Sequence, residues 1–224
     1  MARAGGADTP RERYRAQVRE EIKEHAREQI ATAGASALSL NAIAKRMGVS
    51  GPALYRYFAG RDELITELVR DAYRSLADTL GAAAAEGADL AGLARALRGW
   101  ALADPQRYFL LYGTPVPGYH APEDTTAIAD EVMRTLVDAC TALAPAASDA
   151  PRAPEAPFAT HLLGHRGWAG ERPAPPEVLH RFLVFWTRLH GVLSLELAGH
   201  FTGMGFRPEL LFEAELSGLL TPRF

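Results

Sequence analysis

The sequence predicts an all-α protein in two parts, a small three-helix head followed by a larger helical bundle, and three observations predict it. Apolar residues recur three and four positions apart through most of the chain, the period of a helix that buries one face. Residues that start and stop helices bracket these runs: Thr9-Pro10, Ser39 and Ser50-Gly51-Pro52 at starts, Gly34 and Gly48 at stops. No stretch shows the apolar–polar alternation of a half-buried strand, and no repeat of roughly 20–50 residues is present.

The elements follow in order. Thr9-Pro10-Arg11-Glu12 reads as a capping box, with Pro10 at the first helical position and Glu12 able to reach back to the cap. The helix it opens carries Tyr14, Val18, Ile22, Ala26 and Ile30 on one face and stops at Gly34. Ser39 caps a short second helix with Leu40, Ile43, Ala44 and Met47 inward. Ser50 starts a third, from which Leu54 and Phe58 face the core, and Arg61-Asp62-Glu63 begins a longer fourth with Leu64, Ile65, Leu68 and Val69 inward. Beyond Ala82 helices are expected near 89–103, 105–112, 124–144, 176–200 and 208–220, with a short one at 158–163 inside a Pro- and Ala-rich connection. Three prolines in 113–122 make that segment a loop. The expected domains are 1–70, with a connector helix to about 80, and 81–224.

Composition excludes several classes. Hydrophobic residues make up 48% and charged residues 23%, the mix of a globular protein with a sizeable core. No apolar run is long enough to span a bilayer and the N-terminus lacks a signal-peptide apolar segment, so a cytoplasmic protein with no membrane partner is expected. Cys140, the one cysteine, can form neither an intramolecular disulfide nor a thiolate cluster, and reads as a buried, inert thiol. The net charge of −3 is unevenly spread: residues 1–70 hold 12 Lys and Arg against 9 Asp and Glu, whereas 71–224 hold 12 against 18. A slightly basic head on an acidic body suits a head that meets phosphates.

Two short helices joined through Gly48-Val49-Ser50, with small Ala44 where they must approach, form the pattern of a helix-turn-helix. The outward face of the third helix carries Gly51, Pro52, Ala53, Tyr55 and Arg56: little bulk at its start, hydrogen-bonding groups one turn later. Such a face can enter a major groove. An arbitrary helical hairpin is the alternative reading of the spacing.

The run from Leu40 to Phe58, LNAIAKRMGVSGPALYRYF, followed by Gly60-Arg61-Asp62-Glu63-Leu64, resembles the DNA-binding domain of TetR-type regulators over roughly residues 14–70. The resemblance implies that Tyr55 and Arg61 clamp phosphates, while Gly51, Pro52 and Arg56 approach base edges. The chemistry agrees, since a phenol and a guanidinium donate to phosphate oxygens and arginine can pair guanine in bidentate fashion. Ser39 and Ser50, at helix starts, and Arg46 are further candidate phosphate contacts. For Tyr57 packing against the first helix is as good a reading. Trp186, His190 and Gly191, with the Tyr112–Tyr119 loop, are similar to the subgroup whose C-terminal domain is named for its Trp, His and Gly; packing is the other reading of these three.

The resemblance implies a homodimer that binds pseudo-palindromic operator DNA and represses until a small molecule resets its heads. The last two long helices are expected to form the dimer interface, with Leu193, Leu197, Leu211, Leu216 and Leu219 as its apolar surface. Trp100, Tyr108, Phe109 and Tyr112 are the candidate effector site: rings supply apolar area and hydroxyls orient the ligand. An apolar or aromatic effector is expected, anions being disfavoured by the acidic body unless Arg98 or Arg107 acts locally; simple core packing of the four rings is the alternative. His161 and His165 have a metal-sharing spacing but no third ligand in sequence, and no metal or other cofactor is expected. An enzyme is the rival class, with Glu196, Glu213 and Glu215 as acid–base candidates. No phosphate loop, nucleophile elbow or metal motif supports it.

Overall fold

The computed structural model describes residues 9–143, 156–169 and 174–220, and among these the chain is helical throughout, without a strand. The helices are α1 (Pro10–Ala33), α2 (Leu40–Arg46), α3 (Gly51–Leu54), α4 (Arg61–Ala85), α5 (Leu90–Ala103), α6 (Pro105–Tyr112), α7 (Glu123–Ala142), α8 (Ala156–Gly164), α9 (Pro176–Leu197) and α10 (Pro208–Leu220). A 3₁₀ turn, Ala35–Ala37, links α1 to α2. Much of the expected connection between 145 and 175 lies outside the described residues. No helix among the described residues is long and apolar enough to cross a membrane.

The caps explain the boundaries. Thr9 Oγ1 accepts from the Glu12 N–H (3.3 Å) while the Glu12 carboxylate accepts from the Thr9 N–H (2.8 Å), so two of the orphan donors at the start of α1 are satisfied reciprocally. Asp89 and Asp104 do the same service for α5 and α6, accepting from the Gly92 and Arg107 N–H groups. Ser39 caps α2 by accepting from the Ala42 N–H, whereas the Ser50 side chain makes no cap bond to α3. The third helix is only four residues long, so Phe58 lies past its end, yet Leu54 and Phe58 are both buried as expected.

The chain divides into two compact units, 1–71 with 114–121, and 72–113 with 122–224. The loop 114–121, expected in the second domain, is therefore grouped with the first. Its Tyr119 hydroxyl bonds the Thr66 hydroxyl of α4 at 3.1 Å. The first unit closes on Ile22, Ala26 and Ile30 of α1, Leu40, Ile43 and Ala44 of α2, Leu54, Phe58, and Leu64, Ile65 and Leu68 of α4. Tyr14, expected on the inner face of α1, is exposed, because the first turns of that helix run beyond this core. The second unit buries one continuous core drawn from Leu76 and Leu80, then α5 to α10, with Trp100, Tyr108, Phe182, Phe185 and Phe212 as its large members. Cys140 is buried within it as a free thiol, its pKa pushed up to about 12 by desolvation.

Candidate functional site

The turn between α2 and α3 is set by glycine chemistry. Gly48 has φ +69°, the left-handed region that L side chains avoid, and its successor Val49 donates back to the Ala44 carbonyl at 3.0 Å. A Cβ on Gly51 would stand 3.0 Å from Asn41 Oδ1, so a larger residue there would push the tip of the Asn41 side chain aside. With Leu54 and Phe58 directed inward, Pro52, Tyr55 and Arg56 are left exposed, Tyr55 by 49%.

This face is braced from behind. The Arg19 guanidinium lies 4.1 Å from the Phe58 ring centroid, donates to the Tyr57 carbonyl, and pairs with Glu63 and Glu67. Arg15 donates to the Arg56 carbonyl and sits over the Tyr57 ring, so Tyr57 packs against α1. Two expected DNA contacts are already engaged. Arg61 donates to the carbonyls of Ala35 and Ser36 (3.1 and 3.2 Å), and Arg46 pairs with Glu28 at 2.8 Å. Lys45, one residue earlier on the last turn of α2, is exposed and makes no ion pair among the described residues, and sequence reasoning passed it over.

In the second unit the structure brings together three of the four expected aromatic residues. The Tyr108 ring centroid lies 5.5 Å from Phe109 and 5.3 Å from Tyr112. Trp100 stands apart, its Nε1 donating to Ser75 Oγ and its ring 4.4 Å beneath the Arg107 guanidinium. Two residues of α9 complete the cluster: His190 packs 4.4 Å from Tyr112 and stacks 5.6 Å from Tyr108, and Trp186 lies 4.0 Å from His190. The Tyr108 hydroxyl is 2.9 Å from both His190 Nδ1 and Ser194 Oγ. The Tyr112 hydroxyl and His190 Nε2 are buried without a partner. Burial lowers the His190 pKa to about 4 and raises that of Tyr112, so both are uncharged near neutrality.

The interface leucines need correction. Leu193 and Leu216 are 0% and 1% exposed in the subunit's own core, because each lies one helical turn from another core residue, Leu189 and Phe212 respectively. They cannot offer surface to a partner. Leu197, Leu211 and Leu219 are half-buried against the same core, and the exposed leucines of α9 and α10 are Leu195 and Leu210. A Cβ on Gly191 would meet nothing within 4 Å, so this glycine serves no close crossing inside the subunit. The His161 and His165 rings stack 4.2 Å apart, and no group of three metal-ligating side chains occurs among the described residues. Of the carboxylates considered for acid–base chemistry, Glu196 pairs with Arg98 at 2.6 Å, Glu213 with Arg95 at 2.8 Å and Glu215 with Arg188 at 3.4 Å.

Comparison with known proteins matches both parts of the chain. Residues 22–68 match the family described as bacterial regulatory proteins, tetR family, and residues 90–219 match the tetracyclin repressor-like C-terminal domain. The HTH-type transcriptional regulators Rv1816 of Mycobacterium tuberculosis and Mb1846 of Mycobacterium bovis are each 38% identical over 216 residues, 90% of this chain and 90% of theirs. The crystal structure of a protein designated SCO4313 is 72% identical, with a TM-score of 0.84 over 95% of this chain and 99% of that one. PfmR of Thermus thermophilus, a TetR family regulator, shares the fold alone: 17% identity and a TM-score of 0.57 over 91% of this chain and 99% of its own. The helix-turn-helix head, the helical body and these matches together make the chain a member of the TetR family of transcriptional regulators, with an N-terminal DNA-binding domain.

Proposed function

We propose that the protein is a dimeric repressor that binds a pseudo-palindromic operator and leaves it when a small molecule enters the second unit. The observation that carries the reading is the exposed face of α3: Pro52, Tyr55 and Arg56 stand out from a turn whose inner residues, Leu54 and Phe58, are fully buried. Tyr55 and Arg61 hold phosphates, with Ser39, Ser50, Arg46 and exposed Lys45 as further backbone contacts, and Gly51, Pro52 and Arg56 meet base edges. One amino group of Arg61 serves Ala35 and Ser36 and the other lies 3.9 Å from the Asp62 carboxylate, a loose pair that a phosphate can displace. Dimerisation uses the outer faces of α9 and α10, where Leu195 and Leu210 are 44% and 58% exposed. The effector, apolar or aromatic, is taken beside Tyr108, Phe109 and Tyr112, and its binding and that of DNA weaken each other by the same factor. Such a protein works in the cytoplasm, with DNA.

Fluorescence anisotropy with duplexes from upstream of its own gene tests this. One dimer should bind per site, with a strong salt dependence and a preference of at least about 10³-fold over scrambled duplex. Equal affinity for both duplexes would remove the operator-binding reading.

A further inference from the structure

Six buried side-chain polar atoms of the second unit lack a hydrogen-bond partner among the described residues, and two of them stand side by side. The Tyr112 hydroxyl and His190 Nε2 belong to adjoining rings, 4.4 Å between centroids, and neither has a hydrogen-bond partner. Unmade hydrogen bonds at buried positions cost stability, and native proteins keep them where a ligand or another function uses them. The other end of the imidazole is fixed: Nδ1 meets the Tyr108 hydroxyl at 2.9 Å, and that hydroxyl also meets Ser194. If Tyr108 donates to Nδ1, Nε2 carries the ring proton and is a donor; if Tyr108 donates to Ser194, Nδ1 carries it and Nε2 accepts. Tyr112 can likewise donate or accept.

The charged side chains of α6 and most of those of α9 are engaged elsewhere. On α6 the sole charged side chain, Arg107, is given to Ser75 and the Trp100 carbonyl, over the Trp100 ring. On α9, Arg181 holds the carbonyls of Cys140 and Leu143, Arg188 pairs with Glu215, and Glu196 with Arg98. Glu177 lies 13 residues before His190, about 20 Å along the helix. Around the two atoms stand rings: Trp186, Tyr108, Tyr73 of α4 against Tyr112 and, beyond Trp186, Phe182. Tyr112, Trp186 and His190 are each half-buried, so ring surface remains open although the polar atoms are shielded.

We infer that the effector of this protein is an uncharged, flat, ring-bearing molecule with a hydroxyl or carbonyl group, held between α6 and α9 by the Tyr112 hydroxyl and His190 Nε2. The inference rests on the effector reading above and narrows it. A carboxylate finds the arginines of α6 and α9 already engaged and must shed its hydration, whereas a phenol or ketone replaces water with the two unpartnered hydrogen-bonding atoms.

Calorimetric titration of the full-length protein with 2-naphthol and 4-hydroxybiphenyl, each beside its hydrocarbon parent and its carboxylate counterpart, tests the assignment. The phenols should bind at least tenfold more tightly than the parents or carboxylates, and Tyr112→Phe and His190→Gln should each cost about tenfold in phenol affinity. The ¹⁵N resonance of His190 Nε2 should shift on phenol addition. Without ligand, Tyr112→Phe should melt at the same temperature as the parent or higher, since it deletes an unpartnered hydroxyl. The assignment is overturned if no phenol binds, if carboxylates bind as tightly, or if Tyr112→Phe leaves phenol affinity unchanged or lowers the melting temperature. Operator release separates the two readings. A phenol that binds through these residues without releasing DNA ends the effector reading and leaves the site. A compound that releases DNA with an affinity unaltered in both variants does the reverse.

Discussion

The Tyr119 hydroxyl lies 3.1 Å from the hydroxyl of Thr66, a residue of α4 that is only 7% exposed. It ties the proline-rich loop to α4 within the first unit through one partly buried hydrogen bond. Tyr119→Phe should lower stability by ~0.5–1.5 kcal/mol, because the Thr66 hydroxyl is then left unpaired, and Thr66→Val in that background should restore part of the loss. Denaturant titration of the two single variants and the double variant measures the coupling, and strict additivity would mean the bond contributes nothing.

At the DNA face the roles separate by readout. Arg56→Ala should lose ~1–3 kcal/mol at one base position and relax specificity there, while Tyr55→Phe weakens all duplexes alike. Arg61→Ala should also weaken binding uniformly with a shallower salt slope, and should destabilise the free protein as well, since the Ala35 and Ser36 carbonyls lose their donor. An unchanged ranking of mutated operators in Arg56→Ala would move base reading to other residues.

Arg46 shares its charge with Glu28 through one amino group, and the carboxylate competes with a phosphate for it. Removing the competitor therefore helps: Glu28→Gln should tighten operator binding by a few-fold, with no loss of sequence preference. Anisotropy at two salt concentrations checks it, and weaker binding in Glu28→Gln would mean the pair positions Arg46 for DNA.

Leu195→Arg should dissociate the dimer while leaving the fold intact, because Leu195 is exposed in the subunit, whereas Leu193→Arg should unfold the protein by burying a charge. Light scattering and circular dichroism distinguish the two outcomes. An intact dimer in Leu195→Arg would place the interface elsewhere.

His190 makes stability depend on pH. Its folded-state pKa is lowered from 6.5 to about 4 by burial, so below about 6.5 the unfolded chain takes up a proton that the folded chain refuses. The stabilisation is fully present above pH 6.5 and is lost as pH falls toward 4, by at most a few kcal/mol. His190→Gln should flatten the stability profile over that window, as followed by urea denaturation at successive pH values.

Helix boundaries were legible because their determinants are local: Thr9, Ser39 and Gly34 act within a turn of themselves. The helix-turn-helix was legible for the same reason, since Gly48 and the Leu54–Tyr55 alternation of buried and exposed are short-range facts. The interface leucines were not, because residue type does not give helical phase: Leu193 and Leu195 differ by two positions and face opposite surroundings. His190 was singled out with Trp186 and Gly191, but its hydrogen bonding was hidden. Only the three-dimensional pairing of α6 with α9 reveals that Tyr108 uses one ring nitrogen and leaves the other unpartnered. Likewise nothing local announces that 114–121 groups with the first unit, as its Tyr119 meets Thr66 across 53 positions.

All three tryptophans of the chain, Trp100, Trp168 and Trp186, belong to the second unit, and the first contains tyrosines but no indole. Emission excited at the red edge of protein absorption thus comes from the body alone, and the DNA-binding head is dark. Trp186 stacks on Phe182 and abuts the His190 imidazole, so its quantum yield is sensitive to what that ring touches. Operator DNA added to the protein touches no indole if it binds only the head. Any change in indole emission during such a titration is then a rearrangement transmitted within the protein, and the native chain carries its own optical gauge of communication, without a dye or an engineered probe.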